Sequence, residues 1–414
     1  MPGEDLRVKK KDDHCSTVPS LVSAFVDSFV DFAVGGQFLG PNKFSERPEG
    51  QNGVPNVLKG DENGQDGSPL PTRIPAPERL IAIGDIHGDL GKAKEALRIA
   101  KVMDEANRWI GGKTVVVQVG DILDRGGDEI KVFYLLEKLK GEARKAGGDV
   151  HIMNGNHEVM NMESDFRCIS RAGLDEFERW ADWYKMGNVL KERCKGLEKP
   201  YDFFKNVPQK FSKGLKARMA ALRPGGPISS RFLANHPTVL VVGGSVFAHG
   251  GLLPSHIEHG LEKINEETRQ WMLGRKEFFG PDYLHGRDAI VWVRKYSNED
   301  ENECECDVLE KALSGVSGAK RMVVGHTIQE KLGVNAACNN KVLRVDVGMS
   351  KGCCNTTPEV LEIRDDKVLT VLSANSSLRL TDGEDMPSYL KRQHESPGLA
   401  SLLTSQSPQV KVPG

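Results

Sequence analysis

Carboxylate, imidazole and amide side chains follow five apolar runs of the sequence, each at the point where the run ends. These residues are Asp85, His87, Asp121, Asp124, Asn156, His157, His249 and His326. Asp85 and His87 are two positions apart at a predicted strand end, so both side chains can point to the same side. Nitrogen and oxygen ligands of these types suit manganese, iron or zinc rather than a thiolate site. The pattern therefore predicts a divalent metal centre assembled from several parts of the chain.

Each cluster taken alone is weak evidence for a metal. A single Asp-x-His pair on a strand, such as the one that begins at Asp85, is more often a hydrogen-bonded pair in the core, because buried polar groups normally find partners. Glycine stands beside nearly every one of these residues and lets the backbone turn tightly at a sheet edge. Clusters at the ends of five apolar runs favour a functional site over ordinary packing.

The apolar runs themselves predict the scaffold. The five runs that precede the polar clusters begin at Arg79, Thr114, Asp149, Thr238 and Arg321, and a sixth run begins at Lys341. Near-continuous valine and isoleucine runs are typical of strands that are covered on both faces. Helical segments at 92–103 and 129–144 separate the first three runs, as in βαβ units. We therefore predict an α/β fold whose ligands lie at the carboxyl ends of its strands.

The remaining segments differ in composition. We predict an N-terminal segment with an amphipathic helix at 1–40, a proline- and glycine-rich linker at 41–78, a catalytic domain at 79–372 with a helical insertion at about 162–236, and a disordered tail at 373–414. The linker and the tail hold too few apolar residues to form a core. In the insertion, Trp180, Trp183 and Tyr184 follow helical spacing, which favours a buried stripe over an aromatic wall beside a substrate groove.

Composition narrows the possible functions. The 414 residues carry 56 Lys and Arg against 58 Asp and Glu, and the net charge of −2 argues against a broad nucleic-acid surface. The sequence contains no run of eighteen apolar residues, and its start has neither a secretory nor a transit-peptide pattern. We therefore expect no nucleic-acid partner, no membrane partner and a cytoplasmic location.

The eight cysteines are too few for a disulfide scaffold, and this favours reduced thiols. The alternative location is an oxidising compartment such as the mitochondrial intermembrane space. There, a thiol-oxidising partner would be expected to join the close pairs, Cys304 with Cys306 and Cys353 with Cys354.

Three of the polar clusters, taken with their neighbours, resemble the signatures of the phosphoprotein phosphatase family of metallophosphoesterases. They are Gly-Asp-Ile-His-Gly from Gly84, Gly-Asp-Ile-Leu-Asp-Arg-Gly from Gly120 and Gly-Asn-His-Glu from Gly155. His249 in His-Gly-Gly and His326 in Gly-His-Thr also match. The resemblance covers residues 79–372 and implies a four-layer sandwich, in which two mixed β-sheets are flanked by helices, with a helical insertion.

Further details resemble the branch called Shewanella-like protein phosphatases, which occurs in plants, algae and protists as well as in bacteria. These details are the segment Phe-Val-Asp-Ser-Phe-Val-Asp-Phe-Ala-Val before the core and Val-Trp-Val-Arg at 291–294. The acidic start of the chain is similar to that of the plant-type subgroup without a plastid transit peptide.

The resemblance implies two divalent metal ions as cofactors, with manganese first and iron or zinc as alternatives. The implied ligands are Asp85 and His87 for the first ion, Asp121 for both ions, and Asn156, His249 and His326 for the second. Asn156 would also face the bound phosphate.

The resemblance also implies the residues that act on the phosphate. Arg125 would bind phosphate oxygens, and His157, oriented by Asp124, would be the general acid. The second phosphate-binding arginine is Arg294, with Arg287 as the fallback. Glu158, the last residue of the third signature, is interpreted as a hydrogen-bond partner of the site rather than as a ligand.

The implied chemistry is direct hydrolysis of a phosphomonoester by a metal-dependent phosphoprotein phosphatase. Two metals roughly 3.5–4 Å apart polarise the phosphoryl oxygens and lower the pKa of a bridging water, and the resulting hydroxide attacks phosphorus in line. Arginine side chains neutralise the equatorial oxygens through forked hydrogen bonds, and an imidazolium protonates the leaving oxygen. No covalent phosphoenzyme is required.

Other functions fit the sequence less well. Cys338 and Arg344 satisfy the Cys-x5-Arg spacing of a cysteine phosphatase, but the residues between them are too bulky for a phosphate-cradling loop. A dinucleoside tetraphosphate hydrolase would use the same metal site. A non-catalytic phosphate-binding scaffold would be expected to lack a ligand or the general acid. The residues do not distinguish phosphoserine or phosphothreonine substrates from phosphotyrosine.

Overall fold

The computed structural model of the protein describes residues 70–192, 202, 204–205, 207–208, 210–275, 279–374 and 376–380. The predicted N-terminal helix, most of the predicted linker and residues 381–414 of the predicted tail lie outside the described residues. None of the described helices combines the length and the apolar character that are needed to cross a membrane.

Twelve strands are present in the described part of the chain. They are β1 (Arg73–Ile74), β2 (Arg79–Ile83), β3 (Val115–Gln118), β4 (Asp149–Ile152), β5 (Val239–Val242), β6 (Ser245–Ala248), β7 (Arg321–Val324), β8 (Asn335–Ala337), β9 (Val342–Arg344), β10 (Val360–Arg364), β11 (Val368–Leu372) and β12 (Ser377–Leu380). They form two six-stranded sheets. The first sheet has the order β12-β11-β10-β2-β3-β4, and the second has the order β1-β5-β6-β7-β9-β8.

Nine α-helices lie among the described residues. They are α1 (Leu90–Ile99), α2 (Glu129–Lys145), α3 (Asn156–Met162), α4 (Arg171–Glu192), α5 (Lys213–Leu222), α6 (Pro227–Arg231), α7 (Pro254–His259), α8 (Leu261–Met272) and α9 (Cys306–Ser314). Short 3-10 turns occur at Leu233–Asn235, Asp282–Leu284 and Glu301–Glu303. Both sheets mix parallel and antiparallel pairs, and helices flank them. This confirms the predicted α/β sandwich of two mixed sheets.

The direction of the strands brings the polar clusters together. β2, β3 and β4 are parallel, and the apolar residues Ile81, Val116 and Val150 on them are fully buried. Residues that follow parallel strands meet at one edge of the sheet. β6 and β7 of the second sheet are also parallel. One buried cluster contains side chains from both sheets, including Val117 and Leu343, so the sheets share a core.

The described part of the region at 162–236 contains α4, α5, α6 and a 3-10 turn. α4 and α5 approach closely because position 214 is glycine. A Cβ on Gly214 would lie 2.4 Å from the carbonyl oxygen of Leu174. Trp180 is 3 % exposed, and its ring centre lies 5.1 Å from that of Tyr184, so for Trp180 the interpretation as core is confirmed.

Two predicted boundaries differ from the structure. Arg73–Ile74, inside the predicted linker, forms β1, which pairs in parallel with β5. Ser377–Leu380, inside the predicted tail, forms β12, which pairs antiparallel with β11. Both are edge strands, which are often short and polar. Hydrophobic patterning therefore does not reveal them.

The prediction about the cysteines is wrong in part. The structure joins Cys306 and Cys338 in a disulfide with Cα atoms 5.4 Å apart, and it joins neither predicted close pair. Cys353 and Cys354 are free thiols. The two bonded residues are 32 positions apart and meet only when the start of α9 reaches the end of β8. A bonded Cys338 also cannot serve as the nucleophile of a cysteine phosphatase.

Candidate metal centre and active site

The predicted site residues meet at the edge where strands of both sheets end. Asp85 and His87 follow β2 of the first sheet, and the second sheet contributes the residues after β6 and β7. Several site residues have a left-handed backbone: His87 (φ 45°), Asp121 (φ 57°), Asp124 (φ 70°), Arg125 (φ 64°) and His326 (φ 67°). This conformation costs a residue with a side chain roughly 1–2 kcal/mol. Such strained residues tend to cluster at functional sites.

Backbone carbonyls hold two of the imidazoles in one tautomer. His87 Nδ1 lies 2.9 Å from the carbonyl oxygen of Leu123, and His249 Nδ1 lies 2.9 Å from that of Val119. In a neutral ring, the nitrogen that faces a carbonyl carries the proton, so Nε2 is the nitrogen that could bind a metal. Metal-binding histidines are oriented in the same way, through the ring nitrogen that does not bind the metal.

Asp121 lies at the centre of the cluster. Its Oδ2 is 3.2 Å from His249 Nε2 and 3.8 Å from His87 Nε2. Two groups offer ligand atoms within 4.8 Å of one another: His87, Asp121 and His157, and Asp121, His249 and His326. Asn156 Oδ1 is 2.9 Å from His249 Nε2 and so lies beside the second group. Asp121 is the residue that both groups share.

Asp85 lies beside these groups rather than within them, and in the first group the structure has His157 where the resemblance implied Asp85. The backbone N–H of His326 donates to both carboxylate oxygens of Asp85, at 3.2 and 3.3 Å. Burial, followed by the charges of Asp346 and Asp121, raises the pKa of Asp85 well above its ordinary value. A nearby cation would stabilise the charged form of such a carboxyl group.

The donor set fits divalent cations. His326 Nε2 is buried and has no hydrogen-bond partner among the described residues, which an ion would supply. Burial lowers the pKa of His87 to about 3 and that of His326 to about 2. Both imidazoles are therefore neutral at physiological pH, and neutral imidazole is the form that binds metal. The backbone of Gly155 packs directly against Asp121, and a Cβ at this position would lie only 2.2 Å from Asp121 Oδ1. Glycine at position 155 therefore leaves room for the carboxylate.

His157 differs from the carbonyl-bound imidazoles because a carboxylate faces its Nδ1. Asp124 Oδ2 lies 2.6 Å from this nitrogen. Burial lowers the pKa of His157, but the charge of Asp121 and the hydrogen bond to Asp124 raise it above its ordinary value overall. An imidazole that keeps its proton near neutral pH can act as a general acid. His157 Nε2 lies 3.3 Å from Arg125 Nη2 and so faces the predicted phosphate site.

The first predicted phosphate-binding arginine borders the metal ligands. Arg125 Nη1 lies 3.0 Å from His87 Nε2 and donates to Cys353 Sγ at 3.2 Å. The thiol of Cys353 is a neighbour of the site that motif reasoning did not anticipate, since it comes from the segment after β9. Its only sequence signal is its position after Asp346, which itself follows that strand.

The second predicted arginine contacts the segment after β7. Arg294 Nη1 donates to Thr327 Oγ1 at 2.9 Å. Burial lowers the pKa of Arg294, while the charges of Asp85 and Asp346 act in the other direction, so the guanidinium lies near the buried carboxylates. Arg287 lines the same cavity of about 760 Å³ as Arg294, and both residues are exposed. These contacts favour Arg294 over Arg287 for the predicted role.

Glu158 fixes the loop that carries Asp121. Its carboxylate accepts hydrogen bonds from four backbone N–H groups, those of Asp121 (2.9 Å), Ile122 (2.9 Å), Leu123 (3.0 Å) and Gly155 (2.7 Å). Glu158 is therefore a hydrogen-bond partner of the site, as interpreted from the sequence. Arg218 also reaches the site, because its Nη2 donates to Asp124 Oδ1 at 2.7 Å. Sequence reasoning missed Arg218, since no motif surrounds it.

Comparison with known proteins agrees with this geometry. Residues 78–330 match the Calcineurin-like phosphoesterase family, and the match spans more than half of the chain. The chain therefore belongs to the calcineurin-like phosphoesterases, a family of hydrolases, and within it to the Shewanella-like protein phosphatases.

The second assignment follows from individual relatives. The chain is 51% identical over 369 residues to Shewanella-like protein phosphatase 2 of Arabidopsis thaliana, which covers 87% of this chain and 89% of that protein. It is 29% identical over 300 residues to Shewanella-like protein phosphatase 1 of Plasmodium berghei, which covers 71% of this chain and 74% of that protein. The family predicted from the motifs is thus confirmed.

A solved structure supports the fold. The crystal structure of a cold-active protein-tyrosine phosphatase from a psychrophilic Shewanella species has a TM-score of 0.55 and 22% sequence identity to this chain. The alignment covers 81% of this chain and 89% of that one. At this level of identity the similarity shows the fold alone.

Proposed function

We propose that the chain hydrolyses phosphomonoesters on proteins, as a metal-dependent phosphoprotein phosphatase. The observation that carries this proposal is the position of Asp121, whose carboxylate is shared by two groups of buried ligand atoms. A site of this kind suits two metal ions that act on one phosphate. The relatives in Arabidopsis and Plasmodium are named protein phosphatases, which supports a protein substrate.

Two divalent ions are the proposed cofactors, with manganese first and iron or zinc as alternatives, because the donors are imidazoles, carboxylates and an amide. The residues that would hold them are Asp85, His87, Asp121, Asn156, His249 and His326. When bound, such ions withdraw charge from phosphoryl oxygens and activate a water as the nucleophile.

Other side chains act on the phosphate directly in this proposal. Arg125 contacts His87, Arg294 contacts the backbone of His326, and both would bind phosphoryl oxygens through charged N–H groups. His157 would protonate the leaving oxygen through Nε2, while Asp124 keeps Nδ1 occupied. The poor alkoxide leaving group of a phosphoserine substrate is the one that needs this proton.

The experiment is to remove metal with EDTA, add back manganese, iron or zinc singly, and measure turnover. The substrates are phosphoserine, phosphothreonine and phosphotyrosine peptides and a dinucleoside tetraphosphate. We expect metal-dependent turnover of at least one phosphopeptide. Metal-dependent turnover of the dinucleotide alone would assign the chain to the hydrolases of that substrate. Binding of phosphopeptide without turnover under any metal would indicate a non-catalytic scaffold.

A further inference from the structure

Arg218, on α5 of the helical insertion, is fully buried and uses all three of its nitrogens. Its Nη2 donates to Asp124 Oδ1 at 2.7 Å, and its Nη1 donates to Glu129 Oε1 at 3.0 Å. Its Nε donates to Asn161 Oδ1 at 2.7 Å. Asp124 and Glu129 are also completely buried, and Asn161 is 1 % exposed. One guanidinium therefore joins the insertion to two carboxylates beside the active site.

These bonds divide the two oxygens of Asp124 between different partners. Oδ1 accepts from Arg218 Nη2 and, at 3.1 Å, from Asn161 Nδ2. Oδ2 faces His157 Nδ1 at 2.6 Å. Asn161 Nδ2 also lies 2.8 Å from the carbonyl oxygen of His157. The network thus fixes both the carboxylate of Asp124 and the backbone of His157, whose ring that carboxylate orients.

We propose that Arg218 is a positioning residue for proton transfer. It holds the Asp124 carboxylate so that Oδ2 always binds Nδ1–H of His157 and Nε2 of the ring faces the phosphate side. The inference rests on the proposed function, in which His157 is the proton donor. Arg218 itself acts only through Asp124. A planar fork suits this task because its donors point in fixed directions, whereas a lysine offers one point charge.

A purely structural role explains the arrangement less well. Buried ion pairs can often be replaced by apolar residues without loss of stability, so stability alone is a weak reason for one. The network has little spare room, since a Cβ on Gly173 would lie 2.4 Å from Glu129 Oε1. The network also contacts the carboxylate that binds His157 Nδ1, whereas Nδ1 of His87 is held by the carbonyl oxygen of Leu123.

A double-mutant cycle with Arg218→Lys and His157→Ala tests the proposal. Each variant is assayed on a phosphoserine peptide, which has a poor leaving group, and on p-nitrophenyl phosphate, which has a good one. Full loss of a general acid costs roughly 10²–10⁴ in rate, so we expect Arg218→Lys to lower kcat on the peptide by about 10- to 100-fold. The loss on p-nitrophenyl phosphate should be much smaller. In the His157→Ala background, Arg218→Lys should cause no further loss.

The outcomes separate this inference from the proposed function. If His157→Ala alone lowers kcat on both substrates equally, His157 is not the proton donor of the proposed function. The proposed role of Arg218 is then wrong as well. If His157→Ala shows the leaving-group dependence but Arg218→Lys costs the same factor in both backgrounds, Arg218 has only a structural role. A wild-type kcat for Arg218→Lys on the peptide would overturn the inference as well.

Controls guard against misfolding. Arg223→Lys makes the same substitution at the end of the same helix and should keep wild-type kinetics. If thermal unfolding shows that Arg218→Lys does not fold, the pair Arg218→Met with Glu129→Gln removes one of the two buried carboxylates together with the guanidinium. The double-mutant cycle of this pair with His157→Ala uses the Glu129→Gln variant as its reference in place of the wild type. The outcomes described for Arg218→Lys then apply to it unchanged.

Discussion

Imidazoles in two regions of the active site differ in what faces Nδ1. In His87 and His249 this nitrogen lies 2.9 Å from a backbone carbonyl oxygen, whereas in His157 it lies 2.6 Å from the carboxylate of Asp124. A carbonyl fixes the tautomer, but a carboxylate also favours the protonated ring. Burial lowers the pKa of His249 and the charge of Asp121 raises it above its ordinary value overall, so the two regions are distinguished by the partner of Nδ1. We propose that this partner prepares one side-chain type for metal binding in the first region and for proton donation in the second.

The regions also differ in what supports them. The carbonyls that hold His87 and His249 come from the loop after β3, close to the signature that contains Asp121. The carboxylate that holds His157 is itself held by Arg218 of the helical insertion. The metal-binding side therefore depends on local backbone, and the proton-donating side depends on a distant helix.

The largest effect should come from Asp121→Asn, because this carboxylate is shared by both groups of ligand atoms. We expect loss of nearly all phosphatase activity and a lower content of bound metal, measured by elemental analysis. Asp104→Asn, at a partly buried carboxylate that pairs with Arg108, is the matched control and should keep wild-type activity and metal content. Full activity of Asp121→Asn after EDTA treatment would contradict the assignment of the metal centre.

Arg125→Lys should be the next most damaging change, since a point charge cannot reproduce the fork that contacts the phosphate. We expect kcat/KM on a phosphopeptide to fall roughly 10²-fold, the scale of a small misplacement at the reacting centre. Metal content should stay at the wild-type level, which separates this variant from Asp121→Asn. Unchanged kinetics would remove Arg125 from phosphate binding.

Arg294→Ala should raise KM, lower kcat, or both, with a combined effect of roughly 10- to 100-fold, because a hydrogen bond to a charged group contributes about 1.5–3 kcal/mol. Arg287→Ala is the matched control, since Arg287 lines the same cavity, while the charges of Asp85 and Asp346 act on Arg294. Steady-state kinetics decide between them. Wild-type values for Arg294→Ala together with a loss for Arg287→Ala would transfer the role to Arg287.

The smallest effect on activity should come from Cys306→Ser, which removes the bond to Cys338. Cys338 follows β8, which is antiparallel to β9 and ends beside the start of that strand, whereas the site residues follow strand ends. We therefore expect kcat to be unchanged, while a lost disulfide costs about 2–4 kcal/mol in the free energy of unfolding. If this bond forms in the cell, thiol counting in alkylated lysate will give at least two fewer free thiols than the eight cysteines of the chain, which would favour an oxidising compartment such as the mitochondrial intermembrane space. Eight free thiols would contradict the bond and favour the cytoplasmic location expected from the sequence.

The sequence allowed prediction that the candidate metal ligands lie close together, because each follows an apolar run and the ends of parallel strands meet at one edge of a sheet. It also allowed prediction of both mixed sheets through the resemblance. It did not reveal Arg218, since an arginine on a charged helix has the same local pattern whether it is buried or exposed. The disulfide was missed for a related reason, because a contact between Cys306 and Cys338 depends on tertiary packing alone.

The most direct test of the central claim compares His249→Ala with His157→Ala on substrates of graded leaving-group ability, with metal content measured in the same samples. The account predicts that His249→Ala loses metal and loses activity on every substrate alike. It predicts that His157→Ala keeps its metal and loses activity mainly on substrates with poor leaving groups, by roughly 10²–10⁴ on a phosphoserine peptide. Loss of metal from His157→Ala, with equal losses on all substrates, would contradict the account.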